Sequence, residues 1–162
     1  MPKVALIMGS KSDWPSLKGC ADVLKKFEIE VEVHVASAHR TPETVAAFAA
    51  NARENGFEVI IAAAGKAAHL AGVIAGHTTL PVIGIPVKSS FMDGLDSLLS
   101  TVQMPTGIPV ATVAVGGGDN AAYLAAQMLS IKYPILAEKL LAHREQMAAA
   151  IEADDRQIQD EV

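Results

Sequence analysis

One short segment places two chemically capable side chains next to each other. In the sequence SAHRTPE, residues 37–43, the imidazole of His39 is followed directly by the guanidinium of Arg40. Histidine exchanges a proton near neutral pH, so His39 is a candidate general acid or base. Arginine binds phosphate well because its planar group donates paired hydrogen bonds. The alternative for His39 is a loop histidine that only bonds to the backbone. Thr41 followed by Pro42 predicts a helix start.

Hydroxyl and carboxylate side chains occur in two short polar segments. Ser10, Ser12 and Asp13 lie in the sequence GSKSD, and Ser37 opens the segment that contains His39. Serine hydroxyls can donate hydrogen bonds to a phosphate, and an aspartate can accept them from sugar hydroxyls. The same residue types also cap helices, so capping remains the alternative for the first segment.

Four basic side chains lie in polar segments of a chain that is acidic overall. The formal net charge is −5, yet Lys11, Arg40, Lys66 and Lys88 each follow an apolar run. A local excess of positive charge indicates a small anionic ligand, since nucleic acids and membrane surfaces favour extensive basic patches. We therefore expect a small-molecule partner, and neither a nucleic acid nor a membrane.

A second histidine lies at another transition from an apolar run to a helical pattern. His69 occurs in the sequence AGKAAHLAG. It is either a further polar contact for a ligand or a buried side chain whose hydrogen bonds are satisfied within the protein. Cys20 lies on an apolar helical face, where a packing role is favoured.

Five apolar runs, each followed by turn residues, predict five β-strands. Helical patterns separate these runs, for example with Leu17, Cys20 and Leu24 on one helical face. Since a helix joins successive strands, we expect an α/β fold in which a parallel sheet carries helices on both faces. The predicted strands are KVALIM, EVEVHVA, EVIIAAA, LPVIGIPV and IPVATVAV.

The polar segments follow the first four predicted strands. GSKSD, SAHRT, GKAAHL and KSSFMDG come directly after them in chain order. Because the carboxyl ends of parallel strands meet at one edge of a sheet, ligands bind there. We therefore expect the four loops to face a single crevice.

The length and composition suit one soluble domain. The chain has 162 residues, and a domain typically has roughly 100 to 200. Its single cysteine excludes a disulfide framework, and the sequence shows neither a leader-like start nor an apolar stretch of about 20 residues. We expect a cytoplasmic domain over residues 1–162, with an acidic end at about 153–162 that frays or reaches a neighbouring subunit.

Two common cofactor motifs do not occur. The sequence contains neither G-x-x-x-x-G-K-[ST], which binds nucleoside triphosphates, nor G-x-G-x-x-G after the first strand, which binds dinucleotides. Two separated histidines with few acidic neighbours do not form a metal-binding pattern either. We expect no cofactor and no metal.

Four motifs, taken in this order, resemble the family of N5-carboxyaminoimidazole ribonucleotide mutases, which act in de novo purine synthesis. They are MGSKSDW, SAHRTPE, AGKAAHLAG and VQMPTGIPVATVAV, and the resemblance covers nearly the whole chain. It implies a flavodoxin-like three-layer αβα sandwich with a five-stranded parallel sheet and an extra C-terminal helix. It also implies a homo-octamer with sites at subunit contacts and a reaction without cofactor or metal.

The resemblance further implies an isomerase reaction and a role for each site residue. The carboxyl group of the substrate moves from the exocyclic nitrogen to ring carbon C4 of aminoimidazole ribonucleotide, and His39 would be the acid or base. The ribose phosphate would be held by Ser10, Ser12, Asp13, Ser37 and Arg40. The carboxylate site would be formed by Gly65, Lys66, Ala67, His69 and Leu70.

The sequence departs from the family pattern in the third loop. Lys66 stands where a glycine is common, and Ala71 stands where a proline is common. Lys66 either contacts the carboxylate or points to solvent. A related branch carboxylates aminoimidazole ribonucleotide with CO2 directly, but the pair His69-Leu70 favours the mutase branch. A phosphosugar-binding module without activity is a third interpretation.

Overall fold

The computed structural model describes residues 1–162 and contains one five-stranded parallel sheet flanked by helices. The strands are β1 (Lys3–Met8), β2 (Glu30–Val35), β3 (Val59–Gly65), β4 (Val82–Val87) and β5 (Ala111–Thr112). The helices are α1 (Trp14–Lys26), α2 (Pro42–Asn51), α3 (Leu70–Ala75), α4 (Leu95–Val102), α5 (Gly118–Ser130) and α6 (Pro134–Glu161). The strand order is β2-β1-β3-β4-β5, which confirms the predicted flavodoxin-like α/β fold.

The strands end together at one edge of the sheet. Met8, at the end of β1, is in register with Val35 of β2 and with Ala63 of β3, while Gly65 of β3 is in register with Val87 of β4. The central strands are buried on both faces, as their continuous apolar runs predict. The loops that follow these strands therefore emerge side by side.

Helices cover both faces of the sheet and form two hydrophobic clusters. On one face, Leu17 and Leu24 of α1 pack with Ala121 and Ala125 of α5 against the strands. On the other face, the packing involves residues of α2 and α3, such as Val45 and Ile74. This arrangement confirms the three layers predicted from the alternation of strands and helices.

Cys20 lies inside the first of these clusters. Its side chain is fully buried on α1. Burial raises the pKa of the thiol to about 12, and the negative charge of Asp119 acts in the same direction. The structure thus confirms a packing role for this residue.

The fifth strand is much shorter than predicted. The run IPVATVAV was predicted as a strand over residues 108–115, but only Ala111–Thr112 pair with β4. Pro109 has no backbone N–H to donate to a neighbouring strand, and the chain turns at Gly116, whose φ is +71. Two further backbone bonds continue the contact with β4: the Val113 N–H donates to the carbonyl of Gly84, and the Gly116 N–H donates to the carbonyl of Pro86.

The acidic end of the chain is helical rather than frayed. α6 has 28 residues, which corresponds to a length of about 42 Å, and it continues through the acidic segment to Glu161. Alanine, glutamate, glutamine and arginine are strong helix formers, and Gln157 bonds to Glu161 one turn later. Leu136 is its one buried residue, so most of this helix is exposed. No helix of the chain has the length and apolar character needed to cross a membrane.

Candidate active site

The four loops that follow β1 to β4 surround one cavity of about 370 Å³ at the carboxyl edge of the sheet. This is the crevice that the strand order predicts. All of the site residues predicted from the sequence line it: Ser10, Ser12, Asp13, Ser37, His39, Arg40, Gly65, Lys66, Ala67, His69 and Leu70. Lys11, the remaining basic residue of these loops named above, is not among the lining residues.

The loop after β1 combines capping with free polar groups. Ser10 caps a short 3₁₀ turn at Lys11–Asp13, because its hydroxyl accepts a hydrogen bond from the Ser12 N–H at 3.3 Å. The two serine hydroxyls are also 2.9 Å apart. Asp13 precedes α1, but its carboxylate makes no capping hydrogen bond to that helix. Capping therefore explains Ser10 and does not explain the Asp13 side chain.

The Asp13 carboxyl is partly withdrawn from solvent at the cavity. Burial raises its pKa above the ordinary value, and a backbone hydrogen bond at Ser10 partly offsets that effect. A carboxylate in this position can accept hydrogen bonds from the hydroxyls of a ligand.

Arg40 joins the second loop to the first. Its Nη2 donates to the carbonyl oxygen of Gly9 at 2.9 Å, and its Nε donates to the Ser37 hydroxyl at 3.3 Å. The backbone N–H of Arg40 also donates to that hydroxyl, at 3.1 Å. The guanidinium is therefore held beside the serine-rich first loop, where a cation and several hydroxyls surround the same space.

Thr41 stabilises the second loop in an unexpected way. It occupies the N-cap position before Pro42, as predicted, but its hydroxyl makes no hydrogen bond to α2. Instead, the hydroxyl accepts from the Ser37 N–H at 2.9 Å and donates to the Ser37 carbonyl at 3.1 Å. The two ends of the loop that carries His39 and Arg40 are thus joined by hydrogen bonds before α2 begins.

His39 and His69 are in direct contact. The His39 Nε2 and the His69 Nδ1 are 2.9 Å apart, and the ring planes are nearly perpendicular at 83°. One nitrogen must carry a proton and the other must accept it. The two histidines come from loops after β2 and β3, the strands on either side of β1. His69 is exposed, so it is not the buried side chain that was one of its two interpretations.

The third loop is held in a tight conformation. Lys66 has φ +55, in the left-handed region that favours glycine. Its carbonyl oxygen accepts from the Ala68 N–H at 2.9 Å and from the Ser100 hydroxyl at 3.5 Å. The Ala67 carbonyl accepts from the His69 N–H at 2.9 Å. These bonds fix the backbone that leads into α3.

Six lining residues were not singled out as site residues from the sequence: Gly9, Ala38, Ala64, Val87, Lys88 and Ser89. Lys88 pairs with Asp93 at 2.7 Å, and the Ser89 hydroxyl donates to the carboxylate of Asp96. The sequence does place Lys88 and Ser89 in a loop that faces the crevice, and Lys88 among the basic residues that indicate an anionic ligand, but it assigns neither a role in the site. The apolar residues carry no signal of a site, because their types are common throughout the strands.

Positive charge predominates around the cavity. The lining includes Arg40, Lys66 and Lys88 but one carboxylate, Asp13. An anion is favoured in such a space. The chain has no group of three or more His, Cys, Asp or Glu side chains placed to hold a metal ion.

Comparison with known proteins identifies relatives over almost the whole chain. The family model described as AIR carboxylase matches residues 3–150. N5-carboxyaminoimidazole ribonucleotide mutase of Pyrococcus abyssi is 60% identical over 147 residues, which cover 91% of this chain and 84% of that protein. The protein of the same name from Mycobacterium tuberculosis is 52% identical and covers 98% of this chain and 91% of its own length.

A solved structure is similar in both fold and extent. The crystal structure of Treponema denticola PurE superposes with a TM-score of 0.86 at 31% identity, and the match covers 97% of this chain and 98% of that one. The sequence motifs and the fold therefore agree with these matches. The chain belongs to the AIR carboxylase family.

Proposed function

We propose that this protein is an N5-carboxyaminoimidazole ribonucleotide mutase, an isomerase of de novo purine biosynthesis. It converts the N5-carboxylated nucleotide to 4-carboxy-5-aminoimidazole ribonucleotide. The observation that carries the proposal is the single cavity in which His39 and an Arg40-anchored polar loop meet. Relatives at 52 to 60% identity that bear this enzyme name support it.

The phosphate end of the substrate would lie between the first two loops. Ser10, Ser12 and Ser37 supply hydroxyls there, and Arg40 supplies a guanidinium that is already held beside them. Preorganised donors lose little conformational freedom on binding, so they favour affinity. Asp13 would accept hydrogen bonds from the ribose hydroxyls.

The reacting end of the substrate would lie at His39. In the first step, the bond between N5 and the carboxyl carbon breaks, CO2 forms, and the amine nitrogen takes a proton from His39. In the second step, C4 attacks the same CO2 and a carbon–carbon bond forms. The hydrogen on C4 then leaves as a proton and returns to the imidazole, so that no proton is gained or lost overall.

Retention of CO2 is the demanding part of this scheme. The small residues Gly65 and Ala67, with Leu70, line the cavity near His69 and would form the chamber that keeps CO2 beside C4. Holding two reactants together removes the entropic cost of a second encounter. His69, bonded to His39, would form one wall of that chamber.

A direct carboxylase is the second candidate, favoured by the description of the matching family model. That reaction shares the nucleotide, the C4 attack and the histidine, but takes CO2 from solution. A phosphosugar-binding module without catalysis is a third candidate, since the polar loops alone would hold a sugar phosphate.

We also propose that the protein is a homo-octamer and that it acts in the cytoplasm. The oligomer is supported by large apolar side chains exposed on and before α4: Phe91 (82% exposed), Leu95 (49%), Leu99 (45%) and Val102 (45%). Exposed apolar groups at this spacing are typical of a buried subunit contact. The cytoplasmic location follows from the proposed substrate, a multiply charged nucleotide that does not cross a membrane unaided.

The deciding experiment supplies the carbamate substrate without ATP, metal ion or added bicarbonate and follows formation of the C4 carboxylate. Rapid conversion is expected for the mutase. Product that forms only at high bicarbonate would favour the carboxylase. Binding of the nucleotide with no product under either condition would favour the binding module and overturn both enzymatic candidates.

A further inference from the structure

Two lysines follow neighbouring strands at the same level of the sheet. Gly65 of β3 is in register with Val87 of β4, and Lys66 and Lys88 are the next residues along each strand. Adjacent strands lie about 4.8 Å apart, so the two lysines begin side by side. Both line the cavity.

The two lysines differ in their ion pairing. The Lys88 ammonium forms an ion pair with the Asp93 carboxylate at 2.7 Å, and this pairing raises the pKa of Lys88. Lys66 is exposed and takes part in none of the ion pairs of the chain. Its charge is therefore the one available to an anion in this part of the cavity.

The backbone at Lys66 is strained. A side chain at φ +55 costs free energy that glycine avoids, yet a lysine stands here. The conformation is maintained by hydrogen bonds from Ala68 and Ser100 to the Lys66 carbonyl. Strain maintained in this way is typical of functional sites, which indicates a task for the lysine side chain.

Lys66 and Arg40 lie on opposite sides of the first loop. Arg40 follows β2 and bonds to Gly9 after β1, whereas Lys66 follows β3, on the other side of β1. From β2 to β3 there are two strand spacings, which is roughly 10 Å. The cavity thus presents two separate cations to a ligand, and such a ligand would carry two separate anionic groups.

We propose that Lys66 recognises the carboxylate of the substrate and so distinguishes carboxylated nucleotides from the same nucleotide without that group. This inference rests on the proposed function, in which Arg40 takes the phosphate. The ammonium would contact the carboxylate both before and after it moves, since substrate and product each carry one. Lys66 therefore contributes equally to the affinity for both, and it leaves the equilibrium between bound substrate and bound product unchanged.

The test compares two nucleotides that differ in one carboxylate. Calorimetry measures the dissociation constants of 4-carboxy-5-aminoimidazole ribonucleotide and of 5-aminoimidazole ribonucleotide for the wild type and for Lys66→Gln. The variant is expected to bind the carboxylated nucleotide about tenfold more weakly, since it loses a charge-assisted hydrogen bond. Its affinity for the other nucleotide is expected to change less than about twofold.

Two further variants control for charge and for folding. Lys25→Gln removes the same charge from an exposed lysine near the end of α1, which does not line the cavity, and it is expected to bind both nucleotides like the wild type. Lys66→Arg retains a cation and is expected to restore most of the preference for the carboxylated nucleotide.

Different results would overturn the role of Lys66 and the proposed function. A Lys66→Gln protein that converts the carbamate and retains the wild-type preference would overturn the role of Lys66 alone, as would an equal loss of affinity for both nucleotides. A wild type that binds neither nucleotide would overturn the proposed function, and the inference with it.

Discussion

His39 and Arg40 are consecutive in the chain but have different hydrogen-bond partners. Arg40 bonds to Gly9 and Ser37, whereas His39 bonds to His69 across the cavity. The arginine therefore fixes the second loop to the first, and the histidine links it to the third. Two adjacent residues can thus serve the two ends of one ligand.

The role proposed for His39 is tested by His39→Asn. An amide cannot exchange a proton near neutral pH, so turnover is expected to fall by about 100-fold or more. The dissociation constant for 4-carboxy-5-aminoimidazole ribonucleotide is expected to stay within about threefold, because the phosphate contacts remain. Steady-state kinetics and calorimetry provide the two numbers.

A matched control for this substitution is His77→Asn. His77 is exposed after α3 and bonds to the carbonyl of Val73, outside the cavity. The His77→Asn variant is expected to retain wild-type turnover. Near-normal turnover of His39→Asn would remove His39 from its role as acid or base.

The strain at Lys66 predicts a gain in stability from glycine. Lys66→Gly relieves the left-handed conformation, whereas Lys66→Ala retains a Cβ and the strain. We expect the free energy of unfolding to be about 1 kcal/mol higher for the glycine variant than for the alanine variant. Urea denaturation measures the difference, and equal stabilities would show that the backbone at this position is not strained.

The sequence predicts which loops line the cavity but not the contact between the two histidines. Ser10, Arg40 and Lys66 could be placed because each follows an apolar run, and the carboxyl ends of parallel strands converge. The bond between His39 and His69 depends on the strand order, which sets the two loops on either side of β1. Hydrophobic periodicity contains no information on that order.

Among the elements, β4 and α4 approach each other at Gly84. A Cβ added to Gly84 would fall on the Cγ2 of Thr101 and within 3.0 Å of Val110 Cγ1. Thr101 is buried, and its hydroxyl donates to the Ser97 carbonyl at 2.7 Å. The glycine is therefore required by packing at the point where α4 crosses the strand.

Gly84→Ala is expected to lower the free energy of unfolding by about 1 to 3 kcal/mol, the usual cost of overpacking a core. Thr101→Ser removes the obstructing methyl group and retains the hydroxyl bond. Gly84→Ala is therefore expected to lower the free energy of unfolding by clearly less when Thr101→Ser is also present. Urea denaturation of the four proteins completes the cycle, and strictly additive effects would contradict the close contact.

A hydrogen-bonded carboxylate connects β3 to the turn between α5 and α6. Glu58, beside β3, accepts from the Tyr133 hydroxyl at 2.7 Å and from the Lys132 ammonium at 2.8 Å. Burial alone would raise the pKa of Glu58, but these two partners outweigh it and lower the pKa below the ordinary 4.5. Lys132 is mostly exposed, so the tyrosine is expected to contribute more.

Glu58→Gln is expected to lower the stability by about 1 kcal/mol at neutral pH. Because the folded pKa lies below the unfolded one, the contribution is complete above pH 4.5 and is lost as the pH falls through the folded pKa. Urea denaturation from pH 7 to pH 3 should therefore show the two proteins converge. Glu138→Gln on exposed α6 is the control, and a difference that persists in acid would contradict the linkage.

The elements were predicted best where burial is complete. β1, β3 and β4 have continuous apolar runs, which identify strands covered on both faces. β5 was predicted too long, because an apolar run does not show how many of its residues pair: Pro109 has no N–H to donate, and only Ala111–Thr112 pair with β4. The acidic end was expected to fray or to reach a neighbouring subunit; α6 continues through it to Glu161, because its residues are strong helix formers.

At the scale of the whole molecule, the exposed apolar face on α4 bears on assembly. Leu99 lies on this face with Leu95 and Val102. Leu99→Glu places a charge there, and burial of an unpaired charge in a contact is costly. We expect light scattering to show a smaller species for this variant than for the wild type, which we propose to be an octamer.

The control is Ile131→Glu, which alters an apolar residue that is 90% exposed in the turn after α5. Its mass is expected to match that of the wild type. A wild type that is itself monomeric at micromolar concentration would contradict the proposed octamer, and a Leu99→Glu octamer would exclude this face from the contact.

Because Cys20 is buried, its chemical labelling can be used to follow unfolding. Reaction with alkylating or disulfide reagents requires a thiolate, and a buried thiol with a pKa of about 12 supplies almost none in the native state. An unfolded chain exposes an ordinary cysteine, and it is the only one in the sequence. The rate of covalent labelling therefore measures how often the layer formed by α1 and α5 opens, and no engineered probe is needed.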